Sequence, residues 1–308
     1  MILCAGEALI DMLPRTSTGG EPAFVPHPGG AVFNTAIALG RLGVPTGFFA
    51  GLSTDLFGTR LAEALAASRV GTGLCPRPAR PTTLAFVTLA EGQARYAFYD
   101  EATAGRMLAP ADLPALPDHT RALFCGGISL MTEPCGSAYE ALFLREAGAR
   151  VTMLDPNIRP GFIADAPAYR ARIARMIAAA DIVKISDEDL HWLEGPGEPC
   201  DLARGLLGRG PRLVLLTRGA GGAHALGRAA ERFLPAPAMQ VVDTIGAGDS
   251  FNAGFLAGLS KADALERAAL AQGLPDSVLE AALSLAIRAA AVTVSRAGAN
   301  PPWMEELA

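Results

Sequence analysis

The sequence has little positive charge and almost no lysine. Lys and Arg number 26 against 31 Asp and Glu, which gives a formal net charge of −5, and Lys184 and Lys261 are the only lysines. Because binding to nucleic-acid phosphates requires a basic face, this balance argues against a general nucleic-acid binder. Neither lysine follows a glycine and no His-Arg-Asp triplet occurs. These absences exclude a phosphate-binding P-loop and protein-kinase chemistry.

Paired cysteines and long apolar runs are also missing. The five cysteines are widely and irregularly spaced, with no Cys-x-x-Cys pair, which argues against a zinc site or a redox dithiol. Free thiols in a reducing cytosol are the expectation. The N-terminus carries Glu7 and Asp11 in place of a basic segment, so no signal peptide is predicted. The apolar stretch 281–295 is interrupted by Arg288 and is shorter than the roughly 20 residues that span a bilayer, so no membrane partner is expected.

What the sequence does contain is a regular alternation of strand-like and helix-like segments. Half of the residues are hydrophobic and 19% are charged, a composition that excludes a disordered chain. Short apolar runs indicate strands buried on both faces, at 2–4, 47–50, 121–125, 151–154, 182–185 and 212–217. Helical segments are predicted between them, at 31–42, 57–68, 134–147, 168–179 and 202–207, and almost throughout the chain from Gly246. This alternation predicts an α/β fold with a mostly parallel sheet.

Two segments, 21–27 and 82–99, interrupt the alternation. The second contains two strand-like runs around Glu91-Gly92, which predicts a β-hairpin. Within an α/β domain such a small sheet is either a lid over a site or an ordinary edge hairpin. The pattern alone leaves both interpretations open.

The segment most informative about chemistry is Asp243-Thr-Ile-Gly-Ala-Gly-Asp-Ser-Phe-Asn252. Gly246, Ala247 and Gly248 precede a helical run, so their N–H groups lack intrahelical partners and form an anion site at the positive end of the helix. Asp249 within that site could accept the proton of an attacking hydroxyl. A plain helix-start carboxylate is the alternative. A dinucleotide fingerprint is a second alternative, although Phe251 occupies the position of its third glycine.

Several motifs, in order along the whole chain, resemble the ribokinase-like (PfkB) carbohydrate kinases. Residues 243–259 are similar to the C-terminal signature of that family and residues 29–43 to its N-terminal signature. The segments 155–160 and 216–219 resemble intervening motifs. The segments 6–14 and 296–303, together with the hairpin, resemble the bacterial fructokinases of the family. The resemblance implies a ribokinase-like three-layer α/β/α sandwich over residues 1–308, with lid segments at about 10–28 and 76–104.

The resemblance also implies roles for individual residues in binding a sugar and transferring a phosphoryl group. Asp249 would be the catalytic base and the three preceding residues the anion hole. The implied sugar ligands are Asp11, Gly29, Gly30, Asn34, Phe98 and Arg159. Without the resemblance, Asp11 has the alternative role of a turn cap, and Asn34 that of a satisfied polar helix residue. On a strand, Phe98 shares its face with Tyr96 and opposes Tyr99.

On the nucleotide side, the resemblance implies ATP and Mg²⁺. Ser186 and Asp189 stand where the family usually has Asn and Glu, so Asp189 would organise Mg²⁺ through water, with Asp187 and Glu188 as competitors. Asp243 and the Ile245 carbonyl resemble a K⁺ site, with further carbonyls from 292–298. The residues implied to contact ATP are Lys184, Ser186, Thr217, Gly219 and Gly222.

The activity that the resemblance implies is ATP-dependent phosphorylation of a primary sugar hydroxyl, with fructose converted to fructose 6-phosphate. An alternative substrate is 2-keto-3-deoxygluconate, whose carboxylate would need Arg95, Arg106 or Arg159; ribose and nucleosides are further options. Alternatives of another class are a nicotinamide-dependent oxidoreductase, which needs a dinucleotide-binding unit around 240–280, and a catalytically silent sugar-binding regulator. Exposed lid strands would favour a homodimer, and a cytoplasmic location is expected.

Overall fold

The computed structural model describes residues 1–90, 93–228 and 230–307, and for residues 88–90 and 93–96 it describes the backbone only. The strands are β1 Ile2–Ala5, β2 Leu9–Thr16, β3 Pro22–Gly29, β4 Thr46–Phe49, β5 Val70–Gly71, β6 Leu84–Ala90, β7 Gln93–Tyr99, β8 Ala122–Gly126, β9 Val151–Asp155, β10 Ile182–Ser186, β11 Leu213–Thr217, β12 Ala223–Gly227 and β13 Glu231–Leu234. The helices are α1 Ala31–Arg41, α2 Leu56–Ala67, α3 Cys135–Glu146, α4 Ala166–Ala179, α5 Asp187–Glu194, α6 Pro199–Leu207, α7 Ala247–Lys261, α8 Arg267–Gln272 and α9 Asp276–Val294.

The large sheet follows the order β13-β12-β11-β10-β9-β8-β1-β4-β5 within the described residues. Strands β11 to β5 in this order are parallel, while β12 and β13 add antiparallel strands at one edge. Alternate strand residues enter two separate hydrophobic clusters. One contains Ile2 and Cys4 with side chains of α1, α2 and α7 to α9, and the other contains Leu3 and Ala5 with side chains of α3 to α6. The predicted three-layer α/β/α sandwich is therefore confirmed.

Helix ends follow local capping rules. The Asp55 carboxylate accepts a hydrogen bond from the Gly58 N–H at 2.7 Å and begins α2, and Asp165 begins α4 in the same way. Helix α9 is long and apolar enough to cross a membrane by length and composition, but half of its most apolar window is buried in the protein. A Cβ added to Gly254 of α7 would lie 2.6 Å from the Ala286 Cα. The small residues of α7 thus allow its close packing against α9.

A separate small sheet has the order β3-β2-β6-β7. Strands β6 and β7 pair as an antiparallel hairpin, as predicted, although its Glu91-Gly92 turn lies outside the described residues. Strand β2 and the edge strands β12 and β13 were not predicted from the sequence. Both edge strands are short and contain polar residues, Ala-His-Ala-Leu-Gly in β12 and Glu-Arg-Phe-Leu in β13, so neither has the apolar run of a buried strand. Pairing of β12 with β11, and of β13 with β12, sets their position.

Candidate active site

A cleft of about 590 Å³ lies at the carboxyl ends of the parallel strands. Residues that follow β1, β8 and β9 line it, together with the N-terminal turns of α1 and α7 and the inner face of the small sheet. Ligands of open α/β sheets bind at this edge, where strand order reverses. The cleft is thus the candidate active site, and it brings together Asp11, Asn34, Arg159, Lys184 and Asp249.

Asp249 lies on the third residue of α7, at the base of the cleft. Its side chain is 7% exposed, and the Asn34 amide Nδ2 donates a hydrogen bond of 2.9 Å to its Oδ2. Asn34 comes from the first turns of α1, 215 positions earlier in the chain. The two sequence signatures therefore meet at one carboxylate, whose orientation is fixed by this bond.

Burial raises the pKa of Asp249 to about 7. The nearby carboxylates of Asp155 and Glu7 also raise the pKa, while the Asn34 hydrogen bond and the Lys184 ammonium lower it. A carboxyl group with a pKa near neutrality is well matched to general base catalysis.

The turn before Asp249 presents backbone N–H groups to the cleft. Gly246 caps α7 in the left-handed conformation, with φ of 79°. The Ala247 N–H donates to the Thr244 carbonyl at 3.3 Å. Within the described chain, the N–H groups of Gly246 and Gly248 have no protein acceptor. The Ala247 N–H is thus already used by the turn, and the two glycines supply the N–H groups that remain available for an anion.

Lys184 and Asp155 form a buried ion pair beside the first turn of α7. The Lys184 Nζ lies 3.0 Å from Asp155 Oδ2, which also accepts a 2.7 Å hydrogen bond from Asn252 Nδ2. Burial lowers the pKa of Lys184, but the carboxylates of Asp155 and Asp189 outweigh it, so the pKa is raised overall and the ammonium stays charged. Neither Asp155 nor Asn252 is assigned a role by the sequence patterns, although both lie within motifs that resemble those of the family.

The sugar-side residues lie across the cleft, on the small sheet and at the start of α1. Asp11 is on β2, and a Cβ on Gly29 of the neighbouring strand would overlap its Oδ2. No protein partner of the Asp11 carboxylate is found in the described residues, and burial raises its pKa to about 6. Gly30 has φ of 108° and lies against the Glu7 carbonyl, where a side chain would not fit. Asp11 is therefore held close to the cleft with free acceptor atoms.

Two further predicted sugar ligands line the same cleft. The Phe98 ring packs edge-on against Phe162, with ring centroids 3.9 Å apart, and Arg159 donates to its neighbouring Ile158 carbonyl at 2.9 Å. Tyr99 lies on the opposite face of the sheet and is 64% exposed. The side chains of Tyr96 and Arg95 lie outside the described residues.

Arg106, a candidate partner of an acidic substrate, is directed elsewhere. Its Nε donates to the Glu133 carbonyl at 3.2 Å, and its Nη1 lies 3.9 Å from Asp100. Of the two candidate arginines whose side chains the structure describes, Arg159 lines the cleft and Arg106 does not.

The start of α5 is organised by hydrogen bonds from backbone N–H groups to Ser186 and Asp189. The Ser186 hydroxyl caps this helix by accepting from the Asp189 N–H, and Asp189 Oδ1 accepts from the Ile158 N–H at 3.1 Å. Burial, together with the nearby Asp155 carboxylate, raises the pKa of Asp189 to about 6. Asp189 therefore supports the loop that carries Arg159.

Thr217 ends β11 opposite Ser186, one strand further along the same sheet edge, and is followed by Gly219 and Gly222.

No group of three metal-binding side chains occurs in the residues that the structure describes. Mg²⁺ needs no such group when phosphate oxygens and water supply most of its ligands, as is usual for this ion.

Asp243, the candidate K⁺ ligand, accepts from the Ile245 N–H at 3.1 Å and from the Gly298 N–H at 2.9 Å. Asp243 thereby joins the loop before α7 to the C-terminal segment.

Comparison with known proteins gives consistent matches. The model of the pfkB family carbohydrate kinases matches residues 1–306. A fructokinase of Rhizobium leguminosarum bv. trifolii is 57% identical over 259 residues, which cover 84% of this chain and 79% of that protein. The structure of a Xylella fastidiosa fructokinase with bound ATP has a TM-score of 0.91 at 28% identity, covering 99% of this chain and 96% of the other.

An aminoimidazole riboside kinase of Salmonella enterica, complexed with aminoimidazole riboside and an ATP analogue, is also similar. Its TM-score is 0.86 at 26% identity, with 99% of this chain and 98% of the other covered.

The dinucleotide-binding alternative finds no support, since the described residues 247–294 contain helices α7 to α9 and no strand of a βαβ unit.

Proposed function

The chain belongs to the pfkB family of carbohydrate kinases, and from this membership we propose that it phosphorylates the 6-hydroxyl of D-fructose with ATP. The observation that carries the proposal is the arrangement of Asp249. A buried carboxylate with a near-neutral pKa follows two glycines with available N–H groups and shares its cleft with the unpartnered carboxylate of Asp11. A base, an anion hole and a hydroxyl-binding group are the parts that alcohol phosphorylation requires.

In this mechanism Asp249 accepts the proton of the sugar hydroxyl as its oxygen attacks the γ-phosphorus. The new oxygen–phosphorus bond forms while the bond to the β-phosphate oxygen breaks, and ADP leaves. The Asn34 amide holds the carboxylate in place during this proton transfer. Asp11 accepts hydrogen bonds from sugar hydroxyls, Gly29 and Gly30 admit the sugar close to the backbone, and the Phe98 ring packs on its apolar face.

The N–H groups of Gly246 and Gly248 would hold the transferring phosphoryl oxygens, with Lys184 and Arg159 adding positive charge. We assign Ser186, Thr217, Gly219 and Gly222 to the ATP side because they lie at the same sheet edge. Asp189, with Asp187 and Glu188 beside it, would orient the water shell of Mg²⁺. When bound with ATP, Mg²⁺ neutralises charge on the phosphates. Asp243 and the Ile245 carbonyl would hold K⁺ behind the anion hole.

The small sheet, from about residues 10–28 and 76–104, is proposed as a lid that excludes water when both substrates are bound. Its outer face carries a cluster of aromatic rings in edge-to-face contact. Phe24 and Phe86 have ring centroids 5.0 Å apart, and Phe86 and Tyr99 5.4 Å. Because Phe24 is 42% exposed and Tyr99 64%, we propose that a second copy of the chain covers this face. Light scattering of the purified protein measures whether the dimer exists.

A cytoplasmic location is part of the same proposal. The five cysteines, among them the buried Cys4 and Cys125, are all free thiols. Free thiols in this number fit a reducing compartment, and both substrates of the proposed reaction are soluble small molecules.

The proposal is tested by a panel of sugars in an assay that couples ADP formation to NADH oxidation. Fructose is expected to give the highest kcat/KM, and phosphorus NMR of the product is expected to show fructose 6-phosphate. Absence of fructose turnover would exclude the proposed substrate. Faster turnover of aminoimidazole riboside, the ligand in the Salmonella relative, or of 2-keto-3-deoxygluconate would assign the chain to that substrate within the family.

The pH dependence of catalysis should report the Asp249 carboxyl. A base must be deprotonated, so kcat/KM for fructose is expected to fall about tenfold per pH unit below about pH 7 and to level off above it. The Asn34→Ala change removes a hydrogen bond that lowers the Asp249 pKa. It should therefore move the acid limb of the profile, in which kcat/KM falls with decreasing pH, to higher pH.

Asp11 also titrates in the acid range, so the assignment needs a control. In the Asp11→Asn variant the limb near pH 7 should persist if Asp249 causes it, and should disappear if Asp11 does. A profile of kcat/KM against pH for the three proteins distinguishes these results.

Replacement of Asp11 by Ala is expected to weaken sugar binding selectively. Loss of hydrogen bonds to a charged acceptor predicts a rise in the KM for fructose of roughly 10- to 100-fold, with a smaller change in kcat. The exposed Thr16 at the end of the same strand provides the matched control Thr16→Ala. Steady-state kinetics with fructose varied at saturating ATP would measure both, and an unchanged KM in Asp11→Ala would remove Asp11 from the sugar site.

A further inference from the structure

We propose that Asp155 and Asn252 are positioning residues that hold the Lys184 ammonium beside the anion hole during phosphoryl transfer. The inference rests on the proposed kinase function but concerns residues to which that proposal gives no role. Three residues from three elements take part: Asp155 ends β9, Lys184 lies on the adjacent strand β10, and Asn252 lies on α7.

The Lys184 ammonium lies where it can act on the anion hole. A Cβ added to Gly248 would be 3.2 Å from Lys184 Nζ, so the ammonium contacts the first turn of α7. Its side chain is 6% exposed, and it lines the cleft. An ammonium in this position adds positive charge to the place where the free N–H groups of Gly246 and Gly248 point.

A charge so deeply buried must be neutralised and fixed. The Asp155 carboxylate, 3% exposed, is the partner at 3.0 Å, and without it the ammonium would be buried and unpaired. Asp155 itself is fixed by Asn252, whose amide donates to the same Oδ2 atom at 2.7 Å. Asn252 is 1% exposed, and within the described chain its Oδ1 has no partner, so the bond to Asp155 is what orients its amide.

Asp155 also contacts the sugar side of the cleft. Its Oδ1 accepts from the Asn157 N–H at 3.2 Å, two residues before Arg159. One carboxylate therefore fixes the sugar-side loop, the lysine and the signature helix relative to one another. An asparagine at position 155 keeps an oxygen for the Asn157 N–H but lacks the charge that pairs with Lys184. Asp155→Asn should therefore act on the phosphoryl group through Lys184, in addition to any effect on folding.

A double-mutant cycle on the full chain separates positioning from folding. Asp155→Asn is expected to lower kcat/KM for ATP roughly 10- to 100-fold, and Asn252→Ala several-fold, as expected for hydrogen bonds in a charged network. Lys184→Met should lower it at least as much as Asp155→Asn. In the Lys184→Met background, Asp155→Asn and Asn252→Ala should add almost nothing, because the group that they position is gone.

The matched control is Asp181→Asn. Asp181 is equally buried and paired, with Arg212 and Arg267, but it precedes β10 at the end of the sheet away from the cleft. The Asp181→Asn substitution should lower the melting temperature and leave kcat/KM for ATP nearly unchanged. Multiplicative losses in the double variants, or the same kinetic loss in Asp181→Asn, would overturn the inference. If Asp155→Asn does not fold, Asn252→Ala carries the cycle.

A second measurement does not depend on turnover. Calorimetric titration with a non-hydrolysable ATP analogue and Mg²⁺ should show weaker binding in Asp155→Asn and Asn252→Ala, and again no additional loss in the Lys184→Met background. Failure of the wild-type chain to phosphorylate any sugar, with this binding pattern intact, would reject the proposed function alone. Equal binding in all variants would reject the positioning role.

Discussion

Asp249→Asn should lower kcat roughly 10²- to 10⁴-fold while fructose and a non-hydrolysable ATP analogue still bind with near wild-type affinity. The amide has the shape of the carboxylate and can turn its oxygen to the Asn34 Nδ2, so the local geometry persists. What it loses is the ability to take up the hydroxyl proton. Steady-state kinetics give kcat, and calorimetry gives both affinities.

Asp201→Asn is the matched control for this change. Asp201 is also the third residue of a helix, α6, but it is exposed and pairs with Arg204. Its replacement should leave kcat within about twofold of wild type, as is usual for a surface position. If Asp249→Asn kept more than a tenth of the wild-type kcat, Asp249 would not be the base.

The parts of the site that could be predicted from sequence are those whose chemistry is local. Small residues followed by an aspartate at the start of a helical run predict unpaired N–H groups next to a carboxylate, and the structure has this arrangement at Gly246 to Asp249. The contact between Asn34 and Asp249 spans 215 positions, and that between Asn252 and Asp155 spans 97. Contacts at such separations depend on strand order, which periodicity alone does not give.

One signal in the composition could have indicated the ion pair. The chain uses arginine at nearly every basic position, and one of its two lysines, Lys184, is buried in the active site. An ammonium is a compact charge, whereas a guanidinium is a wide planar group. The space between Asp155 and Gly248 suits the smaller group, which gives a physical reason for lysine at this position.

Local pattern also does not reveal which polar side chains hold the backbone. Ser186 and Asp189 were predicted on the nucleotide side, and the structure shows them capping α5 and holding the Ile158 N–H. Asp243 likewise accepts two backbone N–H groups. A carboxylate or hydroxyl at a strand end is available to either role, and only the three-dimensional arrangement shows which backbone groups it meets.

Gly246→Ala is expected to lower kcat roughly 10²- to 10³-fold, the cost of disrupting a preorganised anion hole. Gly246 has φ of 79°, and an added Cβ would lie 2.8 Å from the Ala299 Cβ and 3.0 Å from its Cα. Since the C-terminal segment behind it is held by the bond from the Gly298 N–H to Asp243, the strain must move the turn before Asp249. The N–H groups of Gly246 and Gly248 then no longer converge, while the sugar ligands across the cleft stay in place and the KM for fructose changes little.

The same substitution at Gly43 separates this effect from backbone strain. Gly43 has φ of 78°, nothing lies within 4 Å of an added Cβ, and the residue follows α1 at the end of the sheet away from the cleft. Both variants should lose stability by about 1 to 2 kcal/mol, the cost of a left-handed alanine, measured as a lower midpoint of urea unfolding. Only Gly246→Ala should lose kcat. A similar loss of kcat in both variants would mean that general destabilisation, and not the geometry of the anion hole, limits the reaction.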